Sequence, residues 1–121
     1  MKSTVFIDAP MFALQDINVL NNGEYKQEVE FSLIKSKNFL PSELILVLID
    51  LGKNMSYSAA YDILKYILFK LTLVFSKKNV QKTTKIEIVC NKKKYSFSAN
   101  FPLSKEQKDK LIDAAIEKLL K

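Results

Sequence analysis

The amino-acid sequence predicts an α+β fold of two ββα units, with an antiparallel four-stranded sheet and its helices packed on one face. Two segments alternate apolar and polar residues on both sides of a turn, which is typical of β-hairpins. Each is followed by a similar phrase, NFLPSE from residue 38 and NFPLSKE from residue 100. Each phrase leads into an apolar segment, and the second of these has clear helical periodicity. We interpret the repeated phrase as shared strand-to-helix chemistry rather than as a duplication.

The first predicted hairpin joins residues 11–20 to residues 24–35 through the turn Asn-Asn-Gly at residues 21–23. A three-residue loop with glycine in the left-handed conformation is a favoured hairpin connection. With this loop the odd-numbered positions form one mostly apolar face, and the polar side chains between them point to water. Residues 5–7 are a candidate additional strand.

The second predicted hairpin joins residues 85–90 to residues 95–101 through a four-residue loop. This loop pairs Cys90 with Tyr95, so that the apolar rows of the two strands share one face. Both strands are therefore expected to bury one face and expose the other.

Serines at the ends of the two repeated phrases predict the starts of helices. Ser42 and Ser104 are good N-caps, and Glu43 and Glu106 place an acid in the first turn, where the helix dipole favours it. Ser104 and Gln107 also have the spacing of a capping box. The helix after Ser104 carries one apolar stripe, made of Leu111, Ile112, Ala115, Ile116, Leu119 and Leu120.

The segment after Ser42 is predicted to be a helix that runs to Leu51 and is apolar nearly all round. Gly-Lys-Asn at residues 52–54 breaks it. A strand at residues 44–49 is the alternative, because periodicity cannot decide so short an apolar run.

The segment YDILKYILFKLTLVF, residues 61–75, poses a choice between a membrane span, a core helix and an interaction surface. A span needs about 20 mostly apolar residues. Asp62, Lys65 and Lys70 interrupt this segment, and each charge is costly at the bilayer centre. We therefore predict no integral membrane span and a long helix whose wide apolar face packs on the sheet.

Three apolar residues of this helix lie on the side opposite that face. Tyr66, Phe69 and Leu73 follow the spacing i, i+3, i+7 among charged residues. A single sheet cannot cover both sides of a helix, so these residues contact either another helix of the chain or another molecule. We take them as candidate interface residues, and self-association is the commonest form of such an interface.

The composition fits one domain over residues 1–121. It also lacks residue types that several kinds of chemistry need. The chain has no histidine, which removes the usual near-neutral acid and base and the commonest metal ligand. All 19 basic residues are lysine, so no guanidinium is present to bind phosphate or guanine through paired hydrogen bonds. Cys90 is the only cysteine, which excludes an internal disulfide and suggests the reducing cytoplasm. We predict no cofactor and no metal.

The charge is unevenly distributed, with a net −3 over residues 1–64 and a net +9 over residues 65–121. Nucleic-acid binding through the densest basic segment is the alternative function. No arginine is present there, and only Tyr95, at one end, offers an aromatic ring for base stacking. We favour a solvated helix end and hairpin tip. The segment contains Lys77, Lys78, Lys82, Lys85, Lys92, Lys93 and Lys94.

The potential catalytic groups have simpler structural interpretations. Glu28 and Glu30 share one strand face but have no histidine, arginine or glycine-rich partner nearby in the sequence. Ser32 and Lys35 match the Ser-x-x-Lys spacing of some acyl-transfer nucleophiles, but on a strand they point to opposite faces. Cys90 is predicted to face the core as an inert thiol. We therefore predict that the chain is not an enzyme.

A likeness of layout extends over roughly two thirds of the chain. LPSELILVLIDLG at residues 40–52 leads through a long helix ending in Lys77-Lys78 to a short hairpin and to LSKEQKDKLIDAAIEKLLK at residues 103–121. This layout resembles the small effector-associated domains of bacterial conflict systems, of the constant-component type. GKNMSYSAA is a partial match to the Gly/Ala-rich passage of those domains. The resemblance implies an accessory or adaptor module without its own catalysis, and it carries over no functional residue.

Together these observations predict a non-enzymatic interaction or adaptor module that self-associates or docks a protein partner through apolar helical surface. The alternative is a lysine-rich nucleic-acid-binding protein that uses residues 77–94. Peripheral membrane association through the same lysines ranks third. An enzyme ranks last, because no activated nucleophile, metal site or cofactor loop is visible in the sequence.

Overall fold

Five strands form one mixed sheet with three helices packed against it in the computed structural model, which describes residues 2–9, 11–34, 45–52, 55–78 and 83–120. In chain order the described elements are β1 (Ser3–Asp8), α1 (Leu14–Asn21), β2 (Val29–Leu33), β3 (Ile45–Asp50), α2 (Tyr57–Lys77), β4 (Thr83–Cys90), β5 (Lys93–Asn100) and α3 (Lys105–Leu120). The strand order across the sheet is β2-β1-β3-β4-β5. The α+β class is confirmed, whereas the predicted sheet of four antiparallel strands is wrong.

Two β-α-β units organise the sheet. β1 and β2 are parallel neighbours joined through α1, and β3 and β4 are parallel neighbours joined through α2. β1 and β3 are adjacent and antiparallel, so the two units extend outward in opposite directions. Because such crossovers are right-handed, this arrangement places α1 and α2 on the same face of the sheet. β5 pairs antiparallel with β4 at the edge, and α3 follows β5.

The burial pattern of the strands shows that the described helices cover one face only. Along β1, β3 and β4, alternate residues are fully buried, and the residues between them are half-buried or exposed. The buried side chains join those of the helices in one hydrophobic cluster, in which Ile7, Ile49 and Ile86 of the sheet meet Ile67 and Ile116 of the helices. We call the other side of the sheet the open sheet face.

The first predicted hairpin is wrong, because residues 14–21 form helix α1 rather than a strand. The helix begins where the backbone amide of Ala13 donates a hydrogen bond to the Asp16 carboxylate at 2.8 Å. Ile17 and Leu20, one turn apart, are buried in the core. The apolar positions in this segment therefore follow a helical period, and the alternation in the sequence was misleading.

The Asn-Asn-Gly segment does not join two strands. The side chain of Asn21 exchanges two hydrogen bonds with the backbone of Phe31, at 2.9 and 2.7 Å, which fixes the end of α1 beside β2. Gly23 does not adopt the left-handed conformation. It is required for close packing instead, because a Cβ at this position would overlap the Tyr66 hydroxyl. The candidate strand at residues 5–7 is present as the centre of β1.

The helix predicted to run to Leu51 is also wrong, and the alternative of a strand is correct. β3 lies between β1 and β4, and its inward side chains are buried. Its outward leucines, Leu46 and Leu48, are half-buried as well. A central strand that is apolar on both faces lacks the alternation that identifies a half-exposed strand. The predicted Ser42 cap and Glu43 lie outside the described residues.

The second hairpin is confirmed, with a register two residues tighter than predicted. Cys90 pairs with Lys93 instead of Tyr95. Asn91 and Lys92 form the turn with positive φ angles of 50° and 68°, as the favoured two-residue hairpin turn requires. Because the register differs by two residues, the apolar rows still share one face.

The two long helices follow the prediction. α2 begins after Ser56, whose hydroxyl accepts a hydrogen bond from the Ala59 amide at 3.2 Å. α3 begins after Ser104, which exchanges both capping-box hydrogen bonds with Gln107 at 3.1 and 2.9 Å, and its predicted apolar stripe packs on the core. Within the described residues, none of the helices has the length and apolar content that crossing a bilayer requires.

Candidate interaction surfaces

The predicted interface residues lie on α2, on its side away from the sheet. Phe69 is 49% exposed and Leu73 is 48% exposed, although α1 and α3 pack on either side of α2. The two residues are one helical turn apart, so they form a continuous apolar strip. From the sequence, either another helix of the same chain or another molecule could contact these residues. No described helix covers them fully.

Tyr66 differs from the other two because its ring is half-buried within the fold. It packs edge-to-face on Tyr25 with the ring centroids 4.9 Å apart, and its hydroxyl lies against Gly23. Burial raises the pKa of the Tyr66 hydroxyl, and the Tyr25 backbone amide opposes this effect only in part. Tyr66 therefore holds residues 22–28 against α2 more than it offers an exposed contact.

A groove of about 470 Å³ lies beside Phe69, between α2, the start of α3 and Tyr25. Its volume is within the range of ligand-binding clefts. We call it the α2–α3 groove. Its lining residues are Tyr25, Asp62, Lys65, Tyr66, Phe69, Lys105, Lys108 and Asp109.

The α2–α3 groove combines aromatic rings with a mainly basic set of charges. The Lys108 ammonium lies 5.9 Å from the centre of the Phe69 ring. The Tyr61 hydroxyl donates a hydrogen bond to Asp109 at 3.4 Å, which links α2 to α3. Three lysines against two aspartates leave the groove with a positive charge. This combination suits a protein segment whose apolar side chain packs on the rings while acidic neighbours meet the lysines.

The lysines of the predicted basic segment fall into two groups at opposite ends of β4. One group lies at the end of α2, and the other lies at the β4–β5 hairpin. The eight residues of β4 put about 26 Å between the two groups. Lys77 and Lys78 form the first group, Lys85 lies on β4, Lys92, Lys93 and Lys94 form the second group, and Lys82 lies outside the described residues.

Several of these lysines already have partners. Lys78 forms an ion pair with Asp16 at 2.9 Å. Burial opposes ionisation of Asp16, but hydrogen bonds from a backbone amide and from Lys78 outweigh it and lower the Asp16 pKa. Lys85 and Lys94 approach Glu87 at 3.7 and 3.8 Å. The Lys78 ammonium therefore stabilises the fold rather than extending a binding surface.

The other candidate catalytic groups are exposed, ion-paired or buried in the core. Glu28 is exposed, and Glu30 forms an exposed ion pair with Lys2 at 3.1 Å. Cys90 is buried, and burial together with the charge of Asp50 raises the pKa of its thiol, which disfavours the reactive thiolate. In the part of the chain that the structure describes, no three potential metal ligands come together.

The open sheet face is a second surface, which the sequence pattern did not predict. Phe6 of β1 and Leu46 and Leu48 of β3 point outward and are only half-buried, and Ile34, which follows β2, is 42% exposed. A shallow groove of about 270 Å³ runs over these side chains. Charged residues border the groove, namely Asp8, Lys85 and Glu87.

Comparison with known protein families, with curated proteins and with solved structures finds no match to this chain. A functional proposal therefore rests on the two surfaces themselves.

Proposed function

We propose that the chain is a non-enzymatic interaction module of the cytoplasm that docks a segment of a protein partner on the outer surface of α2. The observation that carries the proposal is the half exposure of Phe69 and Leu73, which lie one turn apart on the outer side of α2. Neighbouring apolar side chains exposed in this way are typical of protein contact surfaces. The resemblance to effector-associated domains of bacterial conflict systems, which implies an adaptor, supports the same function.

The α2–α3 groove defines the chemistry of the proposed partner. Its aromatic lining suits one apolar side chain, the kind of residue that dominates binding energy at interfaces. Lys65, Lys105 and Lys108 favour aspartate or glutamate beside that residue. The partner segment therefore combines an apolar residue with acidic neighbours.

Nucleic-acid binding is the weaker alternative. Its affinity would come from several lysines that contact phosphates together. The length of β4 separates the two lysine groups, and Lys78 is already paired with Asp16. No observation on the described residues favours this alternative over protein docking.

Selection of binders from a random peptide library on the purified chain tests the proposal. We expect the enriched peptides to contain an apolar residue flanked by acidic residues. Phe69→Glu should weaken their binding at least about tenfold, because it removes the central apolar contact and repels acidic neighbours. Leu14→Glu is the matched control, since it adds the same charge at an apolar residue of α1 that is 73% exposed, and it should leave binding unchanged.

Circular dichroism and thermal melting check that Phe69→Glu remains folded. A double variant, Lys105→Glu with Lys108→Glu, should shift the selected peptides from acidic to basic, which separates the groove from general attraction to a chain of net charge +6. Absence of an enriched peptide class, or peptides that bind folded Phe69→Glu as well as wild type, would contradict the proposal.

A further inference from the structure

We propose that the open sheet face binds the same face of a second copy of the chain, so that the protein forms a two-fold symmetric dimer. This face lies on the side of the sheet opposite α2. The inference is therefore independent of the proposed docking surface and rests on different residues.

The strand register places an acid and a lysine on either side of β3 at equal distances. Asp8 of β1 lies opposite Leu46 of β3, and Leu46 lies opposite Lys85 of β4. Neighbouring strands are about 4.8 Å apart, so Asp8 and Lys85 are separated by about 10 Å with Leu46 midway. At this separation they do not pair within one chain.

A two-fold axis that runs along β3, between two stacked sheets, exchanges β1 with β4. Asp8 of one copy then lies over Lys85 of the other, and the symmetry repeats this pair. Leu46 and Leu48 lie at the axis and meet their own counterparts, with Phe6 beside them. Face-to-face sheets lie about 10 Å apart with nearly aligned strands, which is the spacing that such side chains fill. The same axis places Phe6 of one copy over Glu87 of the other. The face is therefore complementary to itself in charge at Asp8 and Lys85, and in polarity along β3.

The edge strands extend the same pattern. Glu30 of β2 and Lys94 of β5 stand at the two ends of another row across the sheet, again at equal distances from β3. The axis exchanges β2 with β5, so Glu30 of one copy lies over Lys94 of the other. These two side chains already approach Lys2 and Glu87 within the chain. Lys85 of the inner pair likewise approaches Glu87 at 3.7 Å, so both intermolecular pairs compete with ion pairs within the chain.

Asp50 opposes this arrangement. Asp50 of β3 points outward in the same row of the sheet as Glu30 and Lys94. The axis brings Asp50 of one copy near Asp50 of the other. It is exposed at the end of the strand, where solvent and salt screen the repulsion. Asp50→Asn should therefore strengthen the dimer by about threefold.

The size of the face limits the strength of the dimer. Five strands, each contributing about five residues, cover roughly 400 Å² on each copy. That footprint is about half of the roughly 800 Å² per partner that a standard specific interface buries, and it falls in the range of weak, transient contacts. We therefore expect a reversible dimer that dissociates on dilution and weakens at high salt.

Sedimentation equilibrium on two charge-reversed variants tests the register. Asp8→Lys alone, or Lys85→Glu alone, places like charges over each other at both symmetric positions. Each variant should raise the dissociation constant at least about tenfold. In an equimolar mixture of the two variants both opposite-charge pairs are restored, and a heterodimer of about wild-type affinity should form. Lys105→Glu, on α3, is the charge-matched control and should leave the wild-type dimer unchanged.

The expected result is a dimer for the wild type, monomers for each variant alone and a dimer for the mixture. A wild-type chain that stays monomeric at high micromolar concentration overturns the proposal. A mixture that stays monomeric overturns it too, as does a dimer that persists in both variants. Peptide binding by Asp8→Lys and Lys85→Glu, measured in parallel, distinguishes failure of the dimer from failure of the docking surface.

Discussion

At the scale of single residues, the outer surface of α2 depends on Gly23, which has no side chain. The Tyr66 hydroxyl occupies the space that a Cβ at Gly23 would need. Beside it, the Lys70 ammonium donates hydrogen bonds to the backbone carbonyls of Val19 and Asn22, at 3.3 and 3.1 Å. These contacts fix the segment after α1 directly on α2, and they bring Tyr25 to the edge of the α2–α3 groove.

Gly23→Ala should lower the free energy of unfolding by about 1–3 kcal/mol, because the added methyl group overlaps the Tyr66 hydroxyl. Urea denaturation measures the loss. In a Tyr66→Phe background the hydroxyl is absent, and the same substitution should cost less than about 1 kcal/mol. An equal cost in both backgrounds would show that the Gly23 backbone, rather than this contact, requires glycine.

Asp16 gives a pH-dependent prediction. Folding lowers its pKa below the ordinary value of 3.8, so ionised Asp16 stabilises the fold at all pH values above about 3.8. That contribution is lost as the pH falls through the lower, folded pKa. Asp16→Asn should therefore be less stable than wild type at neutral pH, and the difference should vanish in strong acid. Urea denaturation at a series of pH values measures the difference, and a difference that is constant with pH would contradict the assignment.

At the scale of elements, α2 has one face buried in the core and another that is partly exposed. Ile67 is fully buried beneath the helix, whereas Leu73 is half exposed above it. The apolar content of this helix therefore exceeds what the sheet alone requires. The surplus is the physical basis of the proposed function.

Truncation of each face should separate the two roles. Ile67→Ala should cost about 2–5 kcal/mol of unfolding free energy, as large-to-small core substitutions do. Leu73→Ala should cost less than about 1 kcal/mol, because much of its side chain remains in water. Chemical denaturation of both variants measures the contrast. Similar losses would place Leu73 in the core and remove it from the docking surface.

The sequence predicted the elements that are specified locally. α2, α3 and the second hairpin carry helical stripes, a capping box and strand alternation, and each is present. β3 was predicted as a helix because a central strand that is apolar on both faces lacks the alternation of apolar and polar residues that identifies a strand. α1 was predicted as a strand because its short apolar pattern also fitted alternation. Strand pairing between distant parts of the chain decides β3, and packing of Ile17 and Leu20 on the core decides α1.

Only part of the candidate surfaces could be predicted from the sequence. Phe69 and Leu73 were identified from helical spacing alone, and the structure places both on the exterior. The α2–α3 groove and the open sheet face could not be found from the sequence. Their residues come together only through the strand order and the packing of α3 on α2, which span distant parts of the chain.

At the scale of the whole molecule, the two proposed surfaces lie on opposite sides of the sheet. A dimer formed through the open sheet faces would leave both copies of the α2–α3 groove pointing outward. Such a dimer would present two docking sites to a partner with repeated segments, which increases the apparent affinity without any new contact. The proposed molecule is therefore an adaptor in which self-association and docking act independently.

Calorimetric titration of an enriched peptide into wild type, Phe69→Glu and Lys85→Glu tests this independence most directly. We expect one peptide bound per chain, with similar affinity, for wild type and for Lys85→Glu, and an affinity at least about tenfold lower for Phe69→Glu. Loss of binding in Lys85→Glu, or unchanged binding in folded Phe69→Glu, would contradict it.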